Sequence, residues 1–490
     1  MPFISKFNID MRNFCATLLF LIVFTPAFSQ HDKPNPYPWK IIERIYTSDT
    51  TAATVLEYND KKRSLGFITQ DGMLEKEVPL TGSNIIGLCK WKGDILCIYT
   101  DEEDNTRKKD IHAILVDPKT KSVLAEKVIY SNPGDRQIDL TAAKDAQDNF
   151  HYLLMRNTPV TRGRIRPLEY YFNVKMQETT GLTALYLSDQ LQPSLKTMAS
   201  ACIGGTFLSS VTDDKGQTTI LSAAGDQLIA EKFSPEGQQQ QKLTAPFEYT
   251  PHGFNYLRVW TAQFDPANRN ILTFSVTHYT RRSFLSLYVF DFESGKIAFQ
   301  QKDELNKDYF RTFKDNQDLK STKNFKSVED LKPDNIIYTK DRLVVFNEIR
   351  YDYYPGGKWA TLQEADGVIV SIYDRQQYHL LHQFFLDRHQ ESQIHVGLGL
   401  SYAVRDGKIH AFGCENLHTV AYHYGNFYYV IDPEKIVAER KTPDWGSNPT
   451  TDPVETSTIM WFRNYILRTN VGEGLILGSN FHSYLTKINY

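Results

Sequence analysis

Helical periodicity is the first thing this chain lacks. No stretch of about 10 to 15 residues with apolar side chains at three- and four-residue spacing separates its strand-like runs, which excludes a doubly wound α/β architecture. Cysteine is scarce, five in 490 residues with no C-x-x-C pair, so a disulfide-stapled scaffold, a zinc ribbon and a thiol-redox centre are excluded. Charge of one sign is missing too. With 55 Lys and Arg against 58 Asp and Glu, the net charge is −3 and no basic field exists to hold nucleic acid. After residue 24 no run is long and apolar enough to span a bilayer. The glycine-rich phosphate cradle, the G-x-S-x-G elbow and H-E-x-x-H are all absent, and no cofactor is implied.

What is present is apolar and aromatic: 41% hydrophobic residues, with 28 Tyr and 29 Phe, enough for a large core and weighted towards β structure. Residues 1–29 read as a secretory signal. Lys6 and Arg12 form its basic region, 15–24 (CATLLFLIVF) its apolar region, and Ala27 and Ser29 stand at −3 and −1 for cleavage before Gln30. Met11 serves equally well as a start. The apolar run is about half of a membrane span, and a retained anchor is the alternative. Residues 30–490 are therefore expected to be exported, to the periplasm or the exterior. Of the cysteines left after cleavage, Cys89 and Cys97 flank a tight turn. A three-residue loop, Lys92-Gly93-Asp94, brings them face to face for a bond; a two-residue loop puts them out of register.

One pattern recurs along the whole mature chain: apolar strand, tight polar turn, apolar strand. It appears at 41–58, 85–100, 139–155, 206–223, 257–276, 335–348, 398–413 and 457–470. A second hairpin often follows, with Asp closing its first strand, as in 114–128, 287–301 and 428–441. Two hairpins in series make a four-stranded antiparallel meander, repeating about every 55 residues. In this the chain resembles the β-propellers over about residues 40–490. The resemblance implies an all-β domain of four-stranded blades, eight by count. Seven is the alternative, if the short first (41–80) and last (456–490) units complete one blade. A pair of β-sandwich domains is the competing architecture, but no Gly-, Pro- or Ser-rich linker divides the chain. The charged segment 303–335, with Leu305, Tyr309 and Phe313 at helical spacing, reads as an insertion. The run 212–219 (TDDKGQTT) resembles a degenerate Asp-box, which implies a hairpin turn and no sialidase chemistry.

The strand 1–2 and 3–4 turns are tight, whereas the long segments fall at the other two connections. Propellers place those on one face, and long loops on a rigid scaffold carry function. Candidate binding residues on that face are Arg164, His278, Arg281, Glu348, Arg350, Tyr353, Tyr354, Trp359 and His423. Arginine forks hold carboxylate or sulfate, and flat aromatic faces stack on sugar rings. Seven of the 13 histidines lie between 379 and 423. His379 and His382 point to opposite faces of a strand and His410 lies beyond a turn, so no metal site is expected.

Two functions fit. The first is a secreted, non-catalytic propeller that recognises a glycan, peptide or protein through its loop-rich face. The second is a lyase or glycoside hydrolase acting on an acidic polysaccharide. Arg281, Arg350, His278, His423 and Tyr353 are its lyase candidates, and Glu348 with Asp352 its hydrolytic pair.

Overall fold

Each pair of adjacent apolar runs folds into an antiparallel hairpin, and successive hairpins join into four-stranded sheets. The computed structural model describes residues 39–58, 60–82, 84–101, 108–134, 137–158, 179–248, 257–280, 282–306, 308–309, 331–353, 362–392, 399–416, 424–441, 459–463, 466–467, 470–471 and 481–482. Among these, seven sheets carry four strands in meander order, at 39–80, 84–133, 137–197, 206–246, 257–304, 331–386 and 401–440, and are numbered here blades 1 to 7. Their first strands touch one another in succession from blade 1 to blade 6. This is the strand order of a β-propeller, with the first strand of each blade innermost.

Burial follows from that placement. In blade 1 the middle strands Thr51–Tyr58 and Arg63–Thr69 are each buried over five consecutive residues. A strand covered on both faces has no polar side to alternate with. The outermost strands are polar instead: Leu74–Leu80 reads LEKEVPL and Gln239–Pro246 reads QQQKLTAP. Lys, Glu, Gln and Pro on an edge discourage pairing with another chain.

The core is divided into slabs between neighbouring blades. Phe67, Leu88 and Ile114 share a buried cluster between blades 1 and 2, and Trp91 and Leu153 one between 2 and 3. Tyr152 and Phe233 belong to the cluster between blades 3 and 4, and Leu221 and Phe274 to that between 4 and 5. Val289 and Leu343 belong to the cluster between blades 5 and 6, and Phe346 and Ile409 to that between 6 and 7. The last unit closes the series. Ile459 and Trp461 pack on Phe412 and Tyr428 of blade 7, while Met460 and Phe462 pack on Trp39 and Ile41 of blade 1. The eighth unit is thus an inner segment wedged between blades 7 and 1; among the described residues its Met460–Trp461 pairs with Ile466–Leu467, and one further two-stranded ladder follows.

Turn chemistry sets the registers. Lys92 and Gly93, both at positive φ (54° and 95°), form a two-residue loop, the geometry that continues strand twist. Cys89 therefore pairs with Leu96 and Cys97 with Leu88. The cysteines face opposite slabs, Cys97 towards blade 1 and Cys89 towards blade 3, and are not joined. Aspartates close many of the other turns: Asp213 Oδ1 accepts the N–H groups of Lys215 at 2.9 Å and Gln217 at 2.8 Å, and Asp145 serves Gln147 and Asn149 likewise. The Asp-box-like run is a hairpin turn of this kind.

The charged insertion is shorter than its composition implied. Residues 303–304 belong to the outer strand of blade 5 (Lys296–Glu304) and 331–335 to the inner strand of blade 6 (Leu331–Tyr338), because both pair in the ladder. Leu305 and Tyr309 pack on the blade 5–6 slab, and Asn306 Oδ1 caps the N–H groups of Asp308 and Tyr309. Phe313 lies outside the described residues.

Candidate functional site

Within blades 1 to 7, every connection between strands 1 and 2 or strands 3 and 4 is short, from two residues (92–93) to six (117–122). The other connections include 159–180, 247–256, 305–330 and 417–423. In a meander the two kinds leave from opposite strand ends, so the long ones share one face, called here the loop face.

Five of the candidate residues, Arg164, Arg281, Tyr354, Trp359 and His423, lie outside the described residues. Tyr353 ends the second strand of blade 6 (Arg342–Tyr353), opposite Leu362. His278, Glu348 and Arg350 are strand residues, which corrects their expected place in loops. The reason is ladder length: the middle strands of blade 6 run for 12 and 13 residues and pair well beyond the neighbouring first strand, which stops at Leu331 opposite Ile349.

His278 lies inside blade packing, only 3% exposed, with ring centroids 5.0 Å from Phe247 and 5.4 Å from Phe284. Its Nε2 meets Ser286 Oγ at 3.0 Å. Burial, helped by the charge of Lys302, pulls its pKa down to about 4, so the ring is neutral near pH 7. Arg282 is exposed at the rim and donates to Glu304 at 3.0 Å.

Glu348 and Arg350 belong to a charged seam between blades 6 and 7. Arg388, wholly buried just after the outer strand of blade 6, donates to Glu348 Oε1, to Gln390 Oε1 and, at 2.7 Å, to the Cys414 carbonyl of blade 7. Its guanidinium also lies 5.6 Å from the centre of the Phe427 ring. Gly413 beside it makes room for Leu400, whose Cδ2 would lie 2.6 Å from a Cβ there. The other oxygen of Glu348 accepts Nη2 of Arg350. A bulge between Ala365 and Gly367 sets Arg350 opposite Ala365 while Ile349 stays opposite Gly367, re-aiming the arginine at the end of the seam. Gly367 permits that bulge: its φ is +140°, and a Cβ would strike the Phe385 ring at 2.3 Å.

Asp334, on the inner strand of blade 6, completes the cluster by accepting the Tyr402 hydroxyl of blade 7 at 2.5 Å. Burial, then the neighbouring charge of Glu348, pushes its pKa up to about 6. The same burial and the charge of Asp334 push the Tyr402 phenol well above its ordinary value. Nearer the rim, burial raises the Glu415 carboxyl against the pull of Arg440, to which it is bonded. The Arg350 side chain is 23% exposed, but its Nε is buried and without a partner among the described residues. Asp334, Arg388 and Tyr402 carry no motif; the pairing within blade 6 brings Asp334 and Arg388 near Glu348, and the stacking of blade 7 adds Tyr402. Among the described residues, no group of three or more His, Cys, Asp or Glu side chains is placed to hold a metal.

No protein-family model matches the chain, and no curated protein matches it. Among solved structures it is similar to the WD40 domain of SCAP from fission yeast, at 8% identity over 93% of this chain and 97% of that one, with a TM-score of 0.41. Sqt1 of Saccharomyces cerevisiae matches at 10% identity over 93% and 98%, TM-score 0.43. The β-propeller domain of the Trilobed protease from Pyrococcus furiosus matches at 10% identity over 83% and 94%, TM-score 0.35. The fold class, a multi-bladed β-propeller, rests on the strand order described above.

Proposed function

We propose that this is an exported binding protein that takes a glycan, peptide or protein partner on its loop face. The observation that carries this reading is the one-sidedness of the connections: every strand 1–2 and 3–4 turn has six residues or fewer, and the long segments share the other face. The strands that flank those segments belong to the blades, and long loops on a rigid scaffold commonly carry function. Balanced charge argues against nucleic acid as the partner, and among the described residues no helix is long and apolar enough to cross a membrane. The test is a thermal-shift screen of residues 30–490 against neutral and acidic oligosaccharides, with a pull-down from the source envelope. Alanine at Tyr353, Tyr354 and Trp359 together is expected to abolish the response; an unchanged response by the folded triple variant counts against this face.

An enzyme acting on acidic polysaccharide is the second reading. It is favoured by Asp334, an acid with raised proton affinity in the same cluster as a carboxylate-binding arginine. New reducing ends or the ultraviolet absorbance of unsaturated products would distinguish it from binding alone.

A further inference from the structure

We propose that Lys232 and Asn270 form a covalent amide that staples blade 4 to blade 5 near the tight-turn face. Their side chains meet there: Lys232 Nζ donates to Asn270 Oδ1 at 2.9 Å, between residues 38 positions apart. Lys232 lies on the third strand of blade 4 (Gln227–Phe233) and is only 5% exposed, with its Nζ 5.5 Å from the centre of the buried Phe292 ring of blade 5. Asn270 stands near the start of the second strand of blade 5 (Asn268–Tyr279), and its backbone is fixed on both sides. Its N–H donates to Asn268 Oδ1 at 3.0 Å, and its carbonyl accepts the N–H of Phe292 at 2.8 Å. Beside it Arg269 pairs with Asp214 in the strand 1–2 turn of blade 4, so the two blades are tied where the two side chains meet.

An amide forms when a neutral amine is held against a carboxamide carbon, away from bulk water. Burial, opposed by the charge of Asp213 and aided by that of Lys215, pulls the Lys232 ammonium below its ordinary pKa and so favours the neutral amine. The carbon under attack is one C=O bond beyond Oδ1, which puts it no more than about 4 Å from Nζ. The Nζ lone pair makes the new bond to Asn270 Cγ, the Cγ–Nδ2 bond breaks, and its electron pair leaves with Nδ2 as ammonia. The proton that Nζ sheds ends on Nδ2, so atoms and charge balance with no co-reactant. Asp213 supplies the carboxyl that carries this proton. Its Oδ1 holds the turn through the N–H groups of Lys215 and Gln217, whereas its Oδ2 is buried and has no partner among the described residues. Strand alternation sets residue 213 on the blade 5 side: Val211 packs on the blade 4–5 cluster and pairs with Thr219, which pairs with Lys232. The described cysteines are unbonded, and this amide would restrain the unfolded chain as a disulfide does.

The experiment is tryptic peptide mapping by tandem mass spectrometry on the full chain, purified folded and then denatured for digestion. The amide blocks cleavage after Lys232, so the expected product is residues 216–242 joined to residues 270–281, lighter than the two peptides together by one ammonia. K232R keeps the positive charge but has no amine, and it is expected to release residues 270–281 as a free peptide of full mass. D213N keeps the Oδ1 acceptor of the turn and loses the proton carrier; it is expected to leave most of the chain unlinked. The map of the native-sequence chain decides by itself, whatever the variants do to folding. A free peptide ending at Lys232 together with a free 270–281, both of full mass, overturns the proposal. So does an ammonia loss confined to Gln30 at a cleaved N-terminus, or to Asn270 with no joined peptide. A D213N chain that links as fully as the native sequence overturns the part given to Asp213.

Discussion

The Tyr46 hydroxyl accepts the backbone N–H of Trp461 at 2.6 Å, joining residues 415 positions apart. The same tyrosine meets the Phe462 ring edge-on at 5.8 Å. On its other side the Trp461 indole donates to Ser401 of blade 7 at 2.9 Å, and Arg405 donates to the carbonyls of Trp461, Phe462 and Arg463. One short segment is thereby tied to the first and the seventh blade at once, and the ends of the series meet through it.

Trp461→Ala is expected to lower unfolding stability by about 3–5 kcal/mol, because a large buried ring is lost from the closing slab. Tyr46→Phe keeps the ring contact and removes only the hydrogen bond, for a loss of about 1–2 kcal/mol. Urea titration of both variants checks the ratio; equal losses would mean that closure does not depend on the Trp461 side chain.

Removal of Arg388 leaves a buried carboxylate and a carbonyl without their donor. Arg388→Met should cost about 3–5 kcal/mol, and adding Glu348→Gln should recover only part of it, since Glu348 keeps Arg350 as a partner when Arg388 is gone and Arg350 loses that partner when Glu348 is replaced. A double-mutant cycle by denaturant unfolding measures the coupling.

Two buried groups tilt stability in opposite directions with pH. Asp334 has its pKa raised to about 6, so the folded state holds its proton more firmly than the unfolded chain, and its contribution to stability is lost as pH rises from the ordinary carboxyl range through about 6. His278 has its pKa lowered to about 4, so its contribution is present above the ordinary imidazole value and lost as pH falls towards 4. D334N should therefore steepen the acid-side loss of stability, and His278→Gln should flatten it. Unfolding midpoints measured across that window decide; parallel profiles for all three proteins would contradict the assignment.

The thiols of Cys89, Cys97 and Cys202 are buried and unbonded, and burial pushes the Cys89 pKa up to about 12. None of the three should be alkylated in the native protein at neutral pH, and all three should react on unfolding. Peptide mapping after iodoacetamide treatment reads this directly, and a Cys89–Cys97 peptide recovered without reduction would contradict the register found here.

The recurring hairpins, the Asp-closed turns and the one-sided placement of long segments are legible from the residues alone. Each depends on side chains within about 20 positions of one another, where strand alternation and turn chemistry act. Turn length at Lys92-Gly93 is not, because two- and three-residue loops fit the same letters; positive φ at both residues settles it and parts the cysteines. His278, Glu348 and Arg350 fall in strands instead of loops because polar residues do not by themselves end a strand. A ladder continues as long as its partner does, and that of blade 6 runs to Tyr353.

By itself, then, the sequence determined the repeating blade, the tight-turn face and the loop-rich face, since all are local consequences of apolar period and turn residues. Tertiary structure alone decided the closure through Tyr46 and Trp461 and the seam of Asp334, Glu348, Arg350, Arg388 and Tyr402. Those contacts join different strands and different blades, and their partners are chosen by how one sheet stacks on the next, a relation that leaves no period in the chain.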